Sequence, residues 1–529
     1  MAENPVAPLK NRQFRNLWFA NLGTNMGWHI HGVSAAWIMT SLSPSPFSVA
    51  MVQMSITLPI AAFSILGGVL ADNYERRKVM IFSQFLVLVA SGGLAMLIWT
   101  ELATPPLILL CTFLVGCGAA THVPSWMATA GDLFSKKDLP TAVMLNSMGF
   151  NLSRSIGPAF GGILVGFLGT VATFVIVAIG YVPALITLLF WQSEYQPDRL
   201  PREPIGSAIG SGLRYVTLSP SHVTTLLRSA VFGFSTVALL ALMPSISRQL
   251  LQGSSITYGA LLGCFGLGAV FNTLIVHKLH SVFGTNQIVI ASALLTGFSL
   301  LGIIVCPSFA VIGGCVIVAG MSWQGSMSLF NLSIQMNTPR WVLGRTIALL
   351  QAFSFGGMAL GSLVWGWIAA EYSIESALIS GAVASFLGAV LGQFLKLPSE
   401  LQRNLDPLKL FLPPNPVLDI EMNSGPIKVS VEYQIAPEDT DLFLKLAAAR
   451  RRIRLRDGAR AWSLYRDLTR PEKWHESYCV TTWAAYLRHL ERRTVEDAEN
   501  YRSLSGLQNN SRPPKSRQWI ERPTSATGN

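Results

Sequence analysis

One arginine lies inside an otherwise uncharged apolar run. It is Arg154, with Asn151 three residues before it. A guanidinium is planar, permanently charged and shaped for the paired oxygens of a carboxylate. At the centre of a membrane helix it costs about 2.5–3.5 kcal/mol on insertion scales, so it must face a cavity or a partner. Two readings stand. Backbone carbonyls or Asn151 satisfy it, or its charge is left open for an anionic ligand. Asn21, Asn25 and His29 recur every fourth residue and share one helix face, whereas His31 points elsewhere. His122 stands two residues before Pro124. Each histidine reads either as a hydrogen-bonded core residue or as a proton site, because imidazole titrates near neutral pH. The acidic residues of 1–396 are Glu3, Asp72, Glu75, Glu101, Asp132, Asp138, Glu194, Asp198, Glu203, Glu371 and Glu375, all in loops, termini or segment ends. A proton carrier in the interior is therefore expected to be His29 or His122, with Asp72 or Asp132 as the alternative from the rim.

The segments that carry these residues are membrane segments. Of 529 residues, 50% are hydrophobic and only 13% charged, about half the charge of a soluble protein. Residues 1–396 hold 18 Lys+Arg and 11 Asp+Glu, and residues 397–529 hold the remaining 21 and 17. A membrane domain followed by a soluble tail is the reading. Runs of about 20 apolar residues lie near 15–40, 47–71, 79–100, 105–131, 139–168, 171–191, 222–247, 256–277, 287–306, 309–333, 346–370 and 374–396. The expectation is an all-α membrane fold of twelve helices in two parallel six-helix repeats. The halves are 1–191 and 222–396, joined by a cytoplasmic linker at 192–221. Lysine and arginine alternate between loops: 14 fall on one side, from Lys10 to Arg345, against Arg248 alone on the other. The positive-inside rule then places both termini in the cytoplasm. It also accounts for much of the +11 net charge without nucleic acid. At an offset of 205 residues, Leu145-Asn146 falls opposite Leu350-Gln351 and Gly161 opposite Gly366. Such duplication suits a transporter with a site between its halves.

Two strings narrow the class. Gly68, Asp72, Arg76 and Arg77 follow the second segment. They resemble the loop signature G-x-x-x-D-R-x-G-R-R/K of the major facilitator superfamily, from which Asn73 and Glu75 depart. The resemblance implies a gating relay of Asp72, Arg76 and Asp132; plain positive-inside anchoring is the alternative. Gly157, Pro158, Gly161 and Gly162 form G-P-x-x-G-G. Glycines four apart permit close helix approach, and the string also resembles the antiporter motif of drug-exporting facilitators. With Phe14-Arg15, Trp18, Asn21 to Thr24, Ala36 to Thr40 and Pro339 to Val342, the chain resembles the enterobactin-exporter-like branch, the transmembrane secretion effectors. That resemblance implies efflux of siderophores or other small molecules by an inner-membrane protein, against proton entry.

The tail begins with a proline-rich linker at 397–427, and 428–504 reads as a β-α-β-β-α unit. It resembles the dimeric ferredoxin-like domain of antibiotic-biosynthesis monooxygenases, which leaves self-association through it open. The run Arg450 to Arg456 reads as a solvated helix face, with anionic lipid as the alternative. Residues 505–529 are polar and expected to be disordered. Six scattered cysteines show no metal or disulfide spacing, no Walker sequence occurs, and no cofactor is expected. The expected partners are a small-molecule substrate, protons and the bilayer. Export is the favoured function. Import by the same fold, or a transporter whose tail oxidises its cargo, are the alternatives.

Overall fold

The computed structural model describes residues 7–134, 139–191, 204–398, 405, 408, 416–508 and 514–522. They divide into two compact units.

The first unit is built of long helices: α1 (Arg12–Leu42), α2 (Pro46–Asn73), α3 (Arg76–Trp99), α4 (Pro105–Leu133) and α5 (Leu139–Phe190). After the short α6 (Ile205–Thr217) come α7 (Pro220–Ser245), α8 (Ser255–Val305), α9 (Phe309–Asn337), α10 (Leu343–Glu371) and α11 (Ile374–Phe394). Ten helical segments among the described residues are long and apolar enough to cross a membrane. Helix α1 is not among them, because Asn21, Asn25, His29 and His31 dilute it. Two of these elements each hold two of the segments expected from the sequence. α5 has 52 residues and α8 has 51, each broken at one glycine with positive φ, Gly169 at 78° and Gly284 at 72°. Each is therefore two helices joined at a kink, and the connection expected at 278–286 contains the second break, at Gly284. Only glycine takes that backbone conformation without a steric penalty.

Close approaches join the two halves of this unit. A Cβ on Gly162 of α5 would lie 2.5 Å from Gly259 Cα of α8, and one on Gly366 of α10 would lie 2.6 Å from Ala50 Cβ of α2. Arg248, in the turn after α7, donates to Thr40 and Ser41 at the end of α1, at 2.8 and 3.1 Å. Ser64 of α2 donates to the Ala348 carbonyl of α10 at 3.0 Å. These contacts tie α1, α2 and α5 of one half to the turn after α7, α8 and α10 of the other.

The second unit gathers the C-terminal domain with residues Pro197–His222 and Ile334–Thr346. Its elements are β1 (Ile427–Gln434), α12 (Thr440–Arg456), β2 (Arg460–Arg466), β3 (Lys473–Val480), α13 (Trp483–Glu491), α14 (Val495–Gly506) and β4 (Lys515–Ile520). The sheet is antiparallel in the order β2-β3-β1-β4. Two expectations are corrected here. Residues 515–520, expected to be disordered, pair with β1 as an edge strand; backbone pairing needs no apolar alternation when both faces are exposed. The arginine run is not a solvated face throughout. Arg450 and Arg454 are 3% and 4% exposed, and Arg454 lies over the Tyr478 ring at 4.5 Å. Burial pushes the Glu476 carboxyl up, but Arg454, Arg450 and hydrogen bonds from Trp462 and Tyr433 outweigh it and hold it below its usual range. An aromatic seam closes the unit. Tyr215 of α6 meets Trp341 edge-on at 5.9 Å. Arg492 caps Trp341 at 4.1 Å, and Arg456 approaches Tyr215 at 5.7 Å.

Candidate functional site

Between the halves of the first unit lies a cavity of about 330 Å³. One half contributes Trp28 and His29 from α1, Gln53 and Thr57 from α2, and Phe150, Arg154 and Pro158 from α5. The other contributes Tyr258 and Phe265 from α8, Trp323 and Asn331 from α9, and Gln351 and Ser354 from α10. Among the described residues that line it, Arg154 alone carries a permanent charge.

Neither Asn151 nor a backbone carbonyl is the partner recorded for Arg154. Its Nη1 donates to Gln324 Oε1 on α9 at 3.0 Å, and its guanidinium carbon is 5.8 Å from the Trp323 ring centroid. Gln324 in turn donates to Ser328 at 3.2 Å, which fixes its oxygen toward the arginine. His29 lines the same cavity, and its buried Nε2 has no hydrogen-bond partner among the described residues.

The other polar residues of α1 go elsewhere. His122 Nε2 meets Asn21 Oδ1 at 3.0 Å, and its Nδ1 meets Gln84 Nε2 at 3.2 Å. Asn25 lines a small void on that side, with His122 and Gln84. The face shared by Asn21, Asn25 and His29 therefore does not reach the cavity as a whole. Four residues advance a helix by 400°, so each step drifts by about 40°, and only His29 arrives. His31 is held by Ser91 at 3.2 Å and Thr112 at 3.5 Å. Asn151 is not among the residues that line the cavity.

The G-P-x-x-G-G residues serve two contacts. Cβ atoms on Gly157 and Gly161 would meet α1, at His29 Cβ (2.9 Å) and Ile30 Cα (3.1 Å), while Gly162 faces α8. Pro158 lines the cavity. Of the relay, the side chains of Asp72 and Asp132 lie outside the described residues; Arg76 Nε donates to the Ala71 carbonyl at 3.4 Å. Among the described residues no group of three His, Cys, Asp or Glu could hold a metal ion.

Sequence reasoning missed Gln324 and Gln84. Gln84 carried a signal, as the one amide in the apolar segment 79–100. Gln324 carried a weaker one, as one of two amides with Asn331 in the apolar segment 309–333, and its pairing, which joins α5 to α9 across 170 residues, carried none.

The model of the transmembrane secretion effector family matches residues 3–525. The chain belongs to that family. It is 25% identical over 368 residues to a staphyloferrin A transporter of Staphylococcus aureus (strain NCTC 8325 / PS 47), covering 68% of this chain and 88% of that one. It is 27% identical over 352 residues to the enterobactin exporter EntS of Escherichia coli O1:K1 / APEC, covering 64% and 82%. Family and relatives are transporters, not enzymes. Two solved structures share the fold. A bacterial homologue of the human lysosomal transporter Spinster, inward-facing and unoccupied, superposes with a TM-score of 0.55 at 16% identity, covering 74% of this chain and 96% of that one. A variant of the nucleoside transporter NupG gives 0.59 at 13%, covering 73% and 100%. This secretion effector is thus a multi-helix membrane transporter of the major facilitator type.

Proposed function

We propose that this secretion effector is a secondary active exporter of an anionic, siderophore-like small molecule, driven by proton entry through alternating access. The observation that carries the reading is Arg154. It is a partly buried cation on the cavity wall whose acceptor is a neutral amide. A carboxylate would replace or join that amide with a charge-assisted, two-pronged bond, about twice as strong as a neutral one. Aromatic walls at Trp28, Phe150, Trp323 and Tyr258 fit the apolar body of such a ligand. The volume falls in the range of small-molecule sites.

The chain crosses the inner membrane twelve times in this reading. The segment Thr141–Phe190 has 50 residues, about 75 Å of helix against a hydrocarbon core of about 30 Å. The break at Gly169 divides it into two crossings, and α1 supplies the twelfth. Positive-inside loops put both termini in the cytoplasm. Asp72, Arg76 and Asp132 form the cytoplasmic gating relay, and the C-terminal domain is a ferredoxin-like module, a surface for self-association rather than a catalyst.

Everted membrane vesicles holding the full chain test the reading, with enterobactin and staphyloferrin A as probes. An exporter accumulates one of them when the vesicles are energised and loses it when a protonophore is added. Accumulation in right-side-out vesicles instead would establish import and reject the proposal.

A further inference from the structure

We infer that His122, Asn21, Gln84 and Thr24 form a proton-binding site whose two charge states are exchanged by rotation of one amide, that of Gln84. The inference rests on the reading that export is coupled to protons, and adds where the proton sits.

The four side chains come from three helices, α1, α3 and α4, and all are buried. In the arrangement observed, the atoms facing His122 suit a neutral imidazole with both nitrogens satisfied. Nε2–H donates to Asn21 Oδ1 at 3.0 Å, and Nδ1 accepts from Gln84 Nε2 at 3.2 Å. Gln84 Oε1 accepts from the Thr24 hydroxyl at 3.4 Å, and that hydroxyl also reaches the Ala20 carbonyl at 3.1 Å. Turn the Gln84 amide over and every role still closes. Oε1 now faces Nδ1 and accepts from it once a proton has bound there. Nε2 faces Thr24 Oγ1, which accepts, because its own proton goes to Ala20. An imidazolium donates from both nitrogens, and here it finds two amide oxygens. Proton entry forms one N–H bond at Nδ1 and turns one amide; release breaks that bond and turns it back.

The surroundings suit a proton that must also leave. Two voids flank His122, of about 20 and 10 Å³. Among the described residues, their lining includes no carboxylate, lysine or arginine, and Tyr181 from the second part of α5 is the other titratable group on them. With amide oxygens rather than a carboxylate opposite, the charged form is held without a trap. The larger void has room for one water. Trp28 lines both that void and the central cavity, so one residue borders proton site and substrate site alike.

The test uses the full chain in lipid nanodiscs and proton uptake between pH 8 and pH 5, with infrared difference spectra as a second readout. His122→Gln should bind one proton fewer per chain. The wild-type spectrum should contain a side-chain carboxamide shift that is lost in Gln84→Met. Gln84→Glu supplies a carboxylate and should raise the uptake midpoint by at least one pH unit, a tenfold gain in proton affinity; Gln84→Met should lower it. Asn21→Asp gives the same upward shift from the other nitrogen and keeps the test decisive if Gln84→Met does not fold. A merely structural Gln84 would not move the midpoint in opposite directions. An unchanged proton count in His122→Gln, or an unmoved midpoint in Gln84→Glu, overturns the site. Failure of the parent reading looks different: wild-type vesicles would accumulate enterobactin with no dependence on a pH gradient, which rejects coupling altogether. Intact coupling in His122→Gln would reject this site alone.

Discussion

Arg154 sets the chemistry of the cavity because the bond it makes is weaker than the one it could make. An arginine–amide hydrogen bond at 3.0 Å satisfies one of five N–H donors and leaves a full charge facing aromatic walls. Arg154→Lys keeps the charge and loses the fork, so anionic probes should lose about tenfold in affinity, about 1.4 kcal/mol, and neutral ones little. Equal loss for both would assign the residue to structure. Gln324→Leu works from the other side. It strands the guanidinium without its amide, at a cost of about 1–3 kcal/mol, and a bound carboxylate then restores a partner. The thermal midpoint of Gln324→Leu should fall below wild type, and the rise on adding an anionic probe should exceed the wild-type rise. A smaller rise would mean that Gln324 helps to hold the ligand. Arg154 could be singled out in the sequence because a lone charge in an apolar run is expensive wherever it ends up. Its partner could not, since a contact between halves leaves no trace in local spacing.

Helix contacts were legible where small residues recur and illegible where the backbone decides. G-P-x-x-G-G announced a close crossing, and the structure puts α8 against Gly162. Gly162→Ala would push a methyl to 2.5 Å from Gly259 Cα and 2.7 Å from the Ser255 carbonyl. Neither atom can swing aside, so α5 and α8 must separate, at about 1–3 kcal/mol. Gly180, with nothing within 4 Å of its added Cβ, is the control. Thermal midpoints of the two purified variants should diverge, and equal midpoints would reject a tight seam. The break at Gly284 and the edge strand at 515–520 were illegible, since the first depends on one φ angle and the second on pairing to a distant β1. Within the C-terminal domain His489 makes a pH prediction. Burial first, then the charge of Arg454, hold its imidazole well below the ordinary range. Below about pH 6.5 the unfolded chain takes up a proton there and the folded one does not, so stability falls as pH falls, by up to about 1.4 kcal/mol per unit. Above that pH the residue is neutral in both states and adds no slope. Pulse proteolysis of the lipid-embedded chain at pH 7 and pH 5.5 should show the wild-type domain weakening and His489→Leu weakening less. Parallel losses would exclude His489 as the source.

At the scale of the whole chain, three distant stretches meet in the second unit. Tyr215 comes from the connection between the helical halves, Trp341 from the turn before α10, and Arg456 and Arg492 from the C-terminal domain. The stack runs Arg456, Tyr215, Trp341, Arg492, with separations of 5.7, 5.9 and 4.1 Å. Around it, the Tyr215 hydroxyl donates to the Asn337 carbonyl at 3.3 Å and His222 pairs with Thr338 at 2.8 Å. A cation over an indole face is worth about 0.5–1 kcal/mol when exposed and about 2 kcal/mol when desolvated. Arg492 is only 9% exposed, so the upper figure applies. That energy comes from one pair, which makes it separable by a double-mutant cycle. Arg492→Ala and Trp341→Ala should each loosen the unit by about 1–2 kcal/mol, and the double variant should cost less than the sum of the two, the shortfall being the shared pair. Protease cleavage within 204–222 of the lipid-embedded chain reads the loosening, because α6 is held by this stack. Arg451→Ala, which removes a contact to Trp462 at 5.8 Å away from the seam, should leave cleavage there unchanged. Strictly additive losses at Arg492 and Trp341 would show that the domain is fastened elsewhere, and would free the connection between the halves from any dependence on the tail.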